Sequence, residues 1–462
     1  MKKYPLALHI FRRDLRLYDN TSLLEALKLS KSVIPCFIFD KRQIEENAYK
    51  SDNCIQFMAH SLQELDDELK KNNSKLYQFY GIAEEIVAEL LSKLNIKAIF
   101  INRDYTPFSQ QRDDKIAQIC RDFNIDLHCH ADVLLHEPEE IRKLDHKPYT
   151  IYSHFLKKAE LLTVQKPKKN LHTNYYQKSI ALEDKHILNK LLQRNNLTIF
   201  VKGGRIEALS LLKNIKNLIN YQEIRNIPSI HGTTQLSAHN KFGTLSIREF
   251  YHAIIDYFDK QHTLIKELFW RDFFTHIAFH FPHVFGESFQ NKYKNIKWSK
   301  NEKHFHAWCE AKTGFPIVDA GMRELNTTGY MHNRVRMIVA SFITKDLHLD
   351  WRLGEKYFAQ KLVDYDPAVN NGNWQWAAST GCDAQPYFRI FNPWLQQQKF
   401  DPDCLYIKRW IPELADIPSK TIHQLHKLKT KLMVNYPPCI VDHATESQKA
   451  KILYKTSIKK NQ

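Results

Sequence analysis

DYDPAVNNGNWQWAASTGCDAQPYFRIFNP, residues 364–393, gathers acids, amides and indoles into one short span. Asp364, Asp366 and Asn370 precede Trp374 and Trp376. Two acids this close raise the question of a metal, but no histidine or further carboxylate stands at ligand spacing, so no metal site is read here. A carboxylate can instead neutralise a nearby arginine or accept from a ligand N–H. The run NNGNWQWAAS sets glycine and small residues around two tryptophans, which permits close approach of a helix and a ligand.

Three segments upstream share this chemistry. In GYMHNRVRM, residues 329–337, helical spacing puts Asn333, Arg336 and Met337 on one face. Asn can both donate and accept, and Met offers a polarisable apolar wall. In ELFWRDFF, residues 267–274, Glu267, Trp270, Arg271 and Phe274 stand at i, i+3, i+4 and i+7. A carboxylate, an indole and a guanidinium make a poor core stripe and suit an opening that stacks on a base and bonds its edge. An exposed, salt-bridged helix would carry the same residues. GTTQLS, residues 232–237, could cradle a diphosphate with hydroxyls and free N–H groups. Taken alone, it reads first as an ordinary loop with helix caps.

Further out, the first third alternates apolar runs with helical spacing. Leu6–Phe11, Val33–Asp40, Leu76–Tyr80, Ala98–Asn102 and Asp126–His130 read as buried strands, with helical stretches at 22–29, 55–70, 83–94 and 109–122. That rhythm predicts a parallel sheet with crossover helices, without a G-x-G-x-x-G fingerprint. From about Leu134 to Phe200 the periodicity fades into a Lys-, His- and Asn-rich connector that docks the two parts. Beyond Gly203 the pattern is helical nearly to the end. The chain's 462 residues exceed one typical core. A formal charge of +16 favours a polyanionic partner, although much of the excess lies after Lys420. Eight scattered cysteines form no C-x-x-C pair, which points to reduced thiols and a cytoplasmic protein. No apolar run approaches the roughly 20 residues of a membrane span.

These four segments, in this order and together with RRDLRLYDN at residues 12–20, resemble the photolyase/cryptochrome family over essentially the full chain. The resemblance implies a doubly wound parallel-sheet α/β domain at 1–132, a connector at 133–202 and an all-α FAD- and DNA-binding domain at 203–462. It implies FAD, active as FADH⁻, held by Tyr221, Thr233, Thr234, Gln235, Leu236 and Ser237. Arg336 would pair with Asp364 beside the flavin ring, with Tyr365 and Asp366 adjoining and Asn370 facing flavin N5. Trp374, Trp351 and Trp298 match the family's electron relay. Trp270 and Trp376 would stack on a flipped-out pyrimidine dimer. Glu267 and Asn333 would bond its edges, and Met337 would pack against it. Arg225, Arg271, Arg334, Arg389 and Gln396 would contact the DNA strand. The implied activity is light-driven electron transfer that splits cyclobutane dimers in double-stranded DNA, as in class I-like enzymes, by a monomer.

The alternatives that remain are a cryptochrome-type photoreceptor, a (6-4) or single-strand-preferring relative, and a non-catalytic nucleic-acid-binding module that uses the basic tail. Asn370 favours repair over signalling, and Asn333 with Met337 stands where (6-4) enzymes carry two histidines. Phe108 and Ser109 replace the family's folate-binding Asn-Glu pair, and Phe285 and Gly286 replace its Cys-Lys. A methenyltetrahydrofolate antenna is therefore not expected, and deazaflavin, FMN or no antenna stay open.

Overall fold

A computed structural model describes residues 2–193, 196–427 and 434–459. Five parallel strands form one sheet: β1 Tyr4–Phe11, β2 Ser30–Asp40, β3 Tyr77–Gly81, β4 Ala98–Asn102 and β5 Asp126–His130, in the order β3-β2-β1-β4-β5. Alternation along the strands divides two cores between the two faces. Phe11, Val33, Phe37 and Phe100 pack with Leu23, Leu27, Phe57 and Leu62 from helices Thr21–Leu29 and Asp52–Lys70. Leu8, Ile10, Ile34 and Ile99 pack on the other face with Val87, Leu90 and Ile116 from Ala83–Lys93 and Pro107–Asp122. With both faces covered, the inner strands need to be apolar throughout, which is why they read as continuous apolar runs. β5 departs from the expected burial. It is the edge strand, its residues are exposed or half-buried, and its side chains are correspondingly polar.

The connector is more structured than its composition predicts. It carries helices Tyr152–Ala159 and Ile187–Leu192, and Tyr175 bridges to Val33 at the start of β2. Its early part is tied to the helical half, where the Leu135 N–H donates to Asp272 at 2.8 Å. The fading periodicity reflects long-range contacts that replace a repeating face.

The helical half packs directly on the sheet's first layer. Phe242 stacks on Phe57 at 5.1 Å, and the next residue, Gly243, has φ 63. A Cβ at Gly243 would lie 2.1 Å from Arg13 O, so glycine is required by both conformation and space. Below this seam sits a buried clasp. Asp132 accepts from Arg16 Nη2 at 2.7 Å, Arg248 Nη2 at 2.8 Å and Thr21 Oγ1 at 2.9 Å. Two more buried clusters fill the helical half, one around Trp308, Phe342 and Trp351, the other around Phe250, Phe269 and Phe273. No helix among the described residues is long and apolar enough to cross a membrane.

The clasp predicts that Asp132→Ala strands the buried Arg16 guanidinium without its ion-pair partner and leaves Arg248 with Asp19 alone. The expected loss is about 3–5 kcal/mol in urea unfolding. A loss below about 1 kcal/mol, the scale of an exposed pair, would show that the two halves are held elsewhere.

Candidate functional site

The site grows from the N-terminus of helix Pro367–Ala377. Asp366 caps it, its Oδ1 accepting from the N–H groups of Ala368 at 3.0 Å and Val369 at 3.2 Å. The other oxygen of Asp366 pairs with Arg13, which also reaches Asp104 at 3.2 Å. The helix can lie close to Thr263–His280 because of Gly372, where a Cβ would fall 2.1 Å from Phe274 Cδ1. Helix Trp351–Lys361 packs beside it in the same way, since a Cβ at Gly354 would fall 2.2 Å from Trp374 Cη2.

One cavity opens between these helices and Asn333–Lys345. It brings together Tyr221, Thr233, Thr234, Gln235, Leu236, Ser237, Arg336, Asp364, Tyr365, Asp366 and Asn370. Arg225, Glu267, Arg271, Asn333, Met337, Trp374 and Trp376 also reach it. On its floor Arg336 forms a fork with Asp364, at 3.2 and 2.9 Å, and Nε donates to Met331 O at 2.7 Å. Burial works against the Arg336 charge, but Asp364 beside it raises its pKa above the ordinary value. Asn370 is 8% exposed and donates Nδ2 to Glu355 O at 3.1 Å.

The face expected from Glu267–Phe274 is divided by the fold. Glu267 lines the cavity but is paired with Arg225. Trp270 stacks on Tyr152 of the connector, with centroids 3.6 Å apart and planes 10° apart. Phe274 is buried. Arg271, at the cavity's edge, donates Nη1 to Val133 O at 2.8 Å. Regular spacing places these Cα atoms on one side, but neighbouring carbonyls and rings decide where each side chain goes. Arg334 is likewise engaged, donating to Asn226 Oδ1 at 2.8 Å and lying 4.4 Å over Phe400. Arg389 is exposed beside Phe388, which is 59% exposed, and Gln396 is half-buried.

Trp374 and Trp351 are buried, and Trp298 is half-buried. Trp374 meets Phe358 edge-on at 4.9 Å and Trp308 at 6.3 Å, while Trp298 meets Tyr454 at 5.9 Å. Asn240, Lys241, Tyr330 and Tyr152 were not singled out from the sequence. Lys241 stands one turn after Ser237, so the helical spacing that linked the other candidates would have found it. Burial, then Arg13 nearby, brings its pKa down to about 8. Tyr152 carried no local signal, because its partner lies far along the chain.

A parallel-sheet half joined to a helical half, with one cavity lined by paired charges, amides, hydroxyls and indoles, defines a two-part α/β and all-α protein with an enclosed ligand site. The family model described as the FAD binding domain of DNA photolyase matches residues 264–456, and the DNA photolyase model matches 7–172. The deoxyribodipyrimidine photo-lyase of Alkalihalophilus pseudofirmus is 35% identical over 96% of this chain and 97% of its own. The archaeal photolyase from Sulfolobus tokodaii, solved with two FAD molecules, superposes with a TM-score of 0.88 at 42% identity, covering 98% of this chain and 100% of its own. The class III photolyase of Agrobacterium tumefaciens gives 0.92 at 34% identity, covering 99% and 98%. The cryptochrome of Synechocystis gives 0.87 at 28%, covering 98% and 100%. This chain belongs to the DNA photolyase family.

The residues present fit FAD. Hydroxyls and main-chain N–H groups stand on one wall, an Arg–Asp fork on the floor, and an amide oxygen without a donor among the described residues looks into the space. The packing at Gly372 yields a test: Gly372→Ala pushes the two helices apart. It should cost about 1–3 kcal/mol and lower the flavin retained through gel filtration. Unchanged unfolding and unchanged flavin content would show that the close approach does not shape the cavity.

Proposed function

We propose that this chain is a light-driven deoxyribodipyrimidine photolyase that uses FAD to split cyclobutane pyrimidine dimers in double-stranded DNA, acting as a monomer in the cytoplasm. The reading assigns 1–132 to an antenna-type domain, 133–202 to the connector and 203–462 to catalysis. The observation that carries it is the meeting, in one cavity, of the Arg336–Asp364 fork and Asn370 with Glu267, Asn333, Met337 and Trp376. The first set suits a flavin ring, and the second suits an extruded pyrimidine dimer, whose faces are apolar and whose edges are polar. FAD held against the Arg336–Asp364 fork and the wall at Thr233–Ser237 would supply light-driven transfer of one electron to the dimer and back.

The protein's own work is placement. Trp376 offers a face for stacking and Met337 an apolar wall, while Asn333 can bond a pyrimidine edge through either end of its amide. Glu267, held by Arg225, is oriented before any lesion arrives. The Tyr152 ring behind Trp270 fixes that indole's plane. Trp374, Trp351 and Trp298 supply an aromatic route outward. Asn370 favours this reading over a photoreceptor, because a neutral amide adds no buried charge beside a reduced flavin.

A second chromophore has support in the sheet domain. Arg12 and Arg112 share Asp113, at 2.7 and 3.0 Å, and an Nη2 atom of each is buried without a partner among the described residues. Phe108 lies below Arg42 and Arg112, at 5.1 and 6.0 Å. Paired buried guanidiniums with free donors suit an anionic ligand, and the Sulfolobus neighbour's second FAD makes a flavin-type antenna the reading of choice.

Incubating the reduced protein with a dimer-containing oligonucleotide should give loss of dimers in blue light and none in the dark. No light-dependent loss would sink the repair reading. Flavin released from protein reconstituted with excess flavin should approach two per chain and fall to one in Arg112→Ala. A ratio of one in both would remove the flavin antenna.

A further inference from the structure

The lysines gathered toward the end of the chain have no part in the cavity. Helix His443–Lys459 carries four lysines against one acid, Glu446. It packs beside residues 291–303, NKYKNIKWSKNEK, where five lysines stand against Glu302 alone. A groove runs between the two segments, lined by Lys297, Ser299, His348, Lys449, Ile452 and Leu453, none of which lines the cavity. Lys294 and Lys449 pair with Glu287 and Glu446, at 2.7 and 2.8 Å. Lys297, Lys300, Lys303 and Lys455 are exposed and make no ion pair among the described residues. Ile452 stands one helical turn from both Lys449 and Lys455 and is 65% exposed.

The groove is built against the outer end of the aromatic route. Trp298 lies between Lys297 and Ser299, half-buried, and its ring meets the buried Tyr454 edge-on at 5.9 Å. Tyr454 follows Leu453 on the helix and donates to Ala378 O at 2.6 Å, where the helix that bears Trp374 ends. An exposed apolar centre inside a rim of like charge has the make-up of a transient protein-docking surface. Charge steers the encounter, and a small apolar contact lets the partner leave. A basic rim selects an acidic partner. Nucleic acid fits this surface less well. Neither segment contains an arginine, whose fork suits phosphate, and the rings of Tyr293 and Tyr454 are buried and give a base nothing to stack on.

We propose that this groove is the docking surface for a small acidic electron-carrier protein, which delivers an electron to Trp298. The proposal rests on the reading of Trp374, Trp351 and Trp298 as a relay. Once Trp374 has given an electron to the cavity, the vacancy moves outward through Trp351 to Trp298. The docked carrier gives up one electron and leaves oxidised by one, and Trp298 returns to its closed-shell indole. No covalent bond is made or broken, and an indole that has shed its N–H proton takes one back from water.

The test uses full-length protein loaded with oxidised flavin and two one-electron probes of opposite charge, reduced plastocyanin (acidic) and reduced cytochrome c (basic). Decay of the tryptophan radical after a laser flash is followed against probe concentration, and binding is read separately from line broadening in the spectrum of isotope-labelled plastocyanin. At low salt plastocyanin should quench the radical at least about tenfold faster than cytochrome c. That advantage should vanish in about 1 M salt, where the Debye length falls to about 3 Å. Lys297→Glu combined with Lys455→Glu should slow plastocyanin about tenfold and remove the broadening, with flavin content and dimer repair unchanged. Equal rates for the two probes, or lysine variants that behave as the parent, would overturn the proposal. Variants that lose affinity for undamaged DNA while keeping plastocyanin would make the groove a DNA surface, which also overturns it. Trp298→Phe should abolish electron delivery and keep the broadening. Undiminished delivery in that variant would overturn the relay reading, whereas broadening that ignores the lysines would overturn the docking surface with the relay intact.

Discussion

The carboxylate of Asp366 works in both halves of the chain. One oxygen takes the first free N–H groups of helix Pro367–Ala377, and the other is held by Arg13 from the loop after β1. A helix N-terminus favours an anion, and a buried anion requires a cation, so the cap recruits its counter-ion from the sheet domain. Arg13 in turn reaches Asp104 after β4 and donates from Nε to Lys241 O at 3.2 Å. Burial opposes the Asp366 charge, yet Arg13 and Lys241 keep its pKa below the ordinary carboxylate value. The helix that bears Asn370, Trp374 and Trp376 is thereby fixed relative to the ends of β1 and β4. Strand order places those two strands side by side at the centre of the sheet, where the crossover direction reverses. The cavity thus depends on a sheet that contributes none of its lining.

This dependence explains which parts of the molecule could be read from the sequence. The sheet was legible because a buried parallel strand must be apolar on both faces, and β4 and β5 fall where their runs end. The exposure of β5 was signalled by its polar run, DLHCH, but its place at the edge follows from strand order, which a single run does not carry. In the helical half, 3.6-residue spacing correctly put Asn333, Arg336 and Met337 at one cavity. The same spacing gave no sign that Arg271 donates to Val133 O or that Trp270 stacks on the Tyr152 ring. Both partners belong to the connector, the stretch with the weakest periodic signal. Local pattern determines which side of a helix a residue occupies; distant partners determine what its polar end touches. RRDLRLYDN was recognisable as a signature, but the pairing of Arg13 with Asp366 joins positions more than three hundred residues apart and leaves no trace in either segment.

The amide-rich run at 370–375 has a physical rationale of its own. On the proposed function, the cofactor's charge changes as electrons leave and return. A formal charge buried beside it would stabilise one redox state strongly and oppose the other. Amides instead supply fixed dipoles, provided their orientation is held by other bonds, which is the condition for preorganised stabilisation. Asn371 and Gln375 meet that condition by tying the helix to Val284, Phe289 and Glu355, and Asn370 is the amide that faces the cavity. Three ion pairs lie around these amides, Arg336 with Asp364, Arg225 with Glu267 and Arg13 with Asp366. Pairing cancels most of their field along the electron's path while keeping their donors and acceptors in place. The sequence pattern of amides flanked by acids, with arginines contributed from elsewhere, is therefore the arrangement expected where a ligand gains and loses an electron inside a rigid protein.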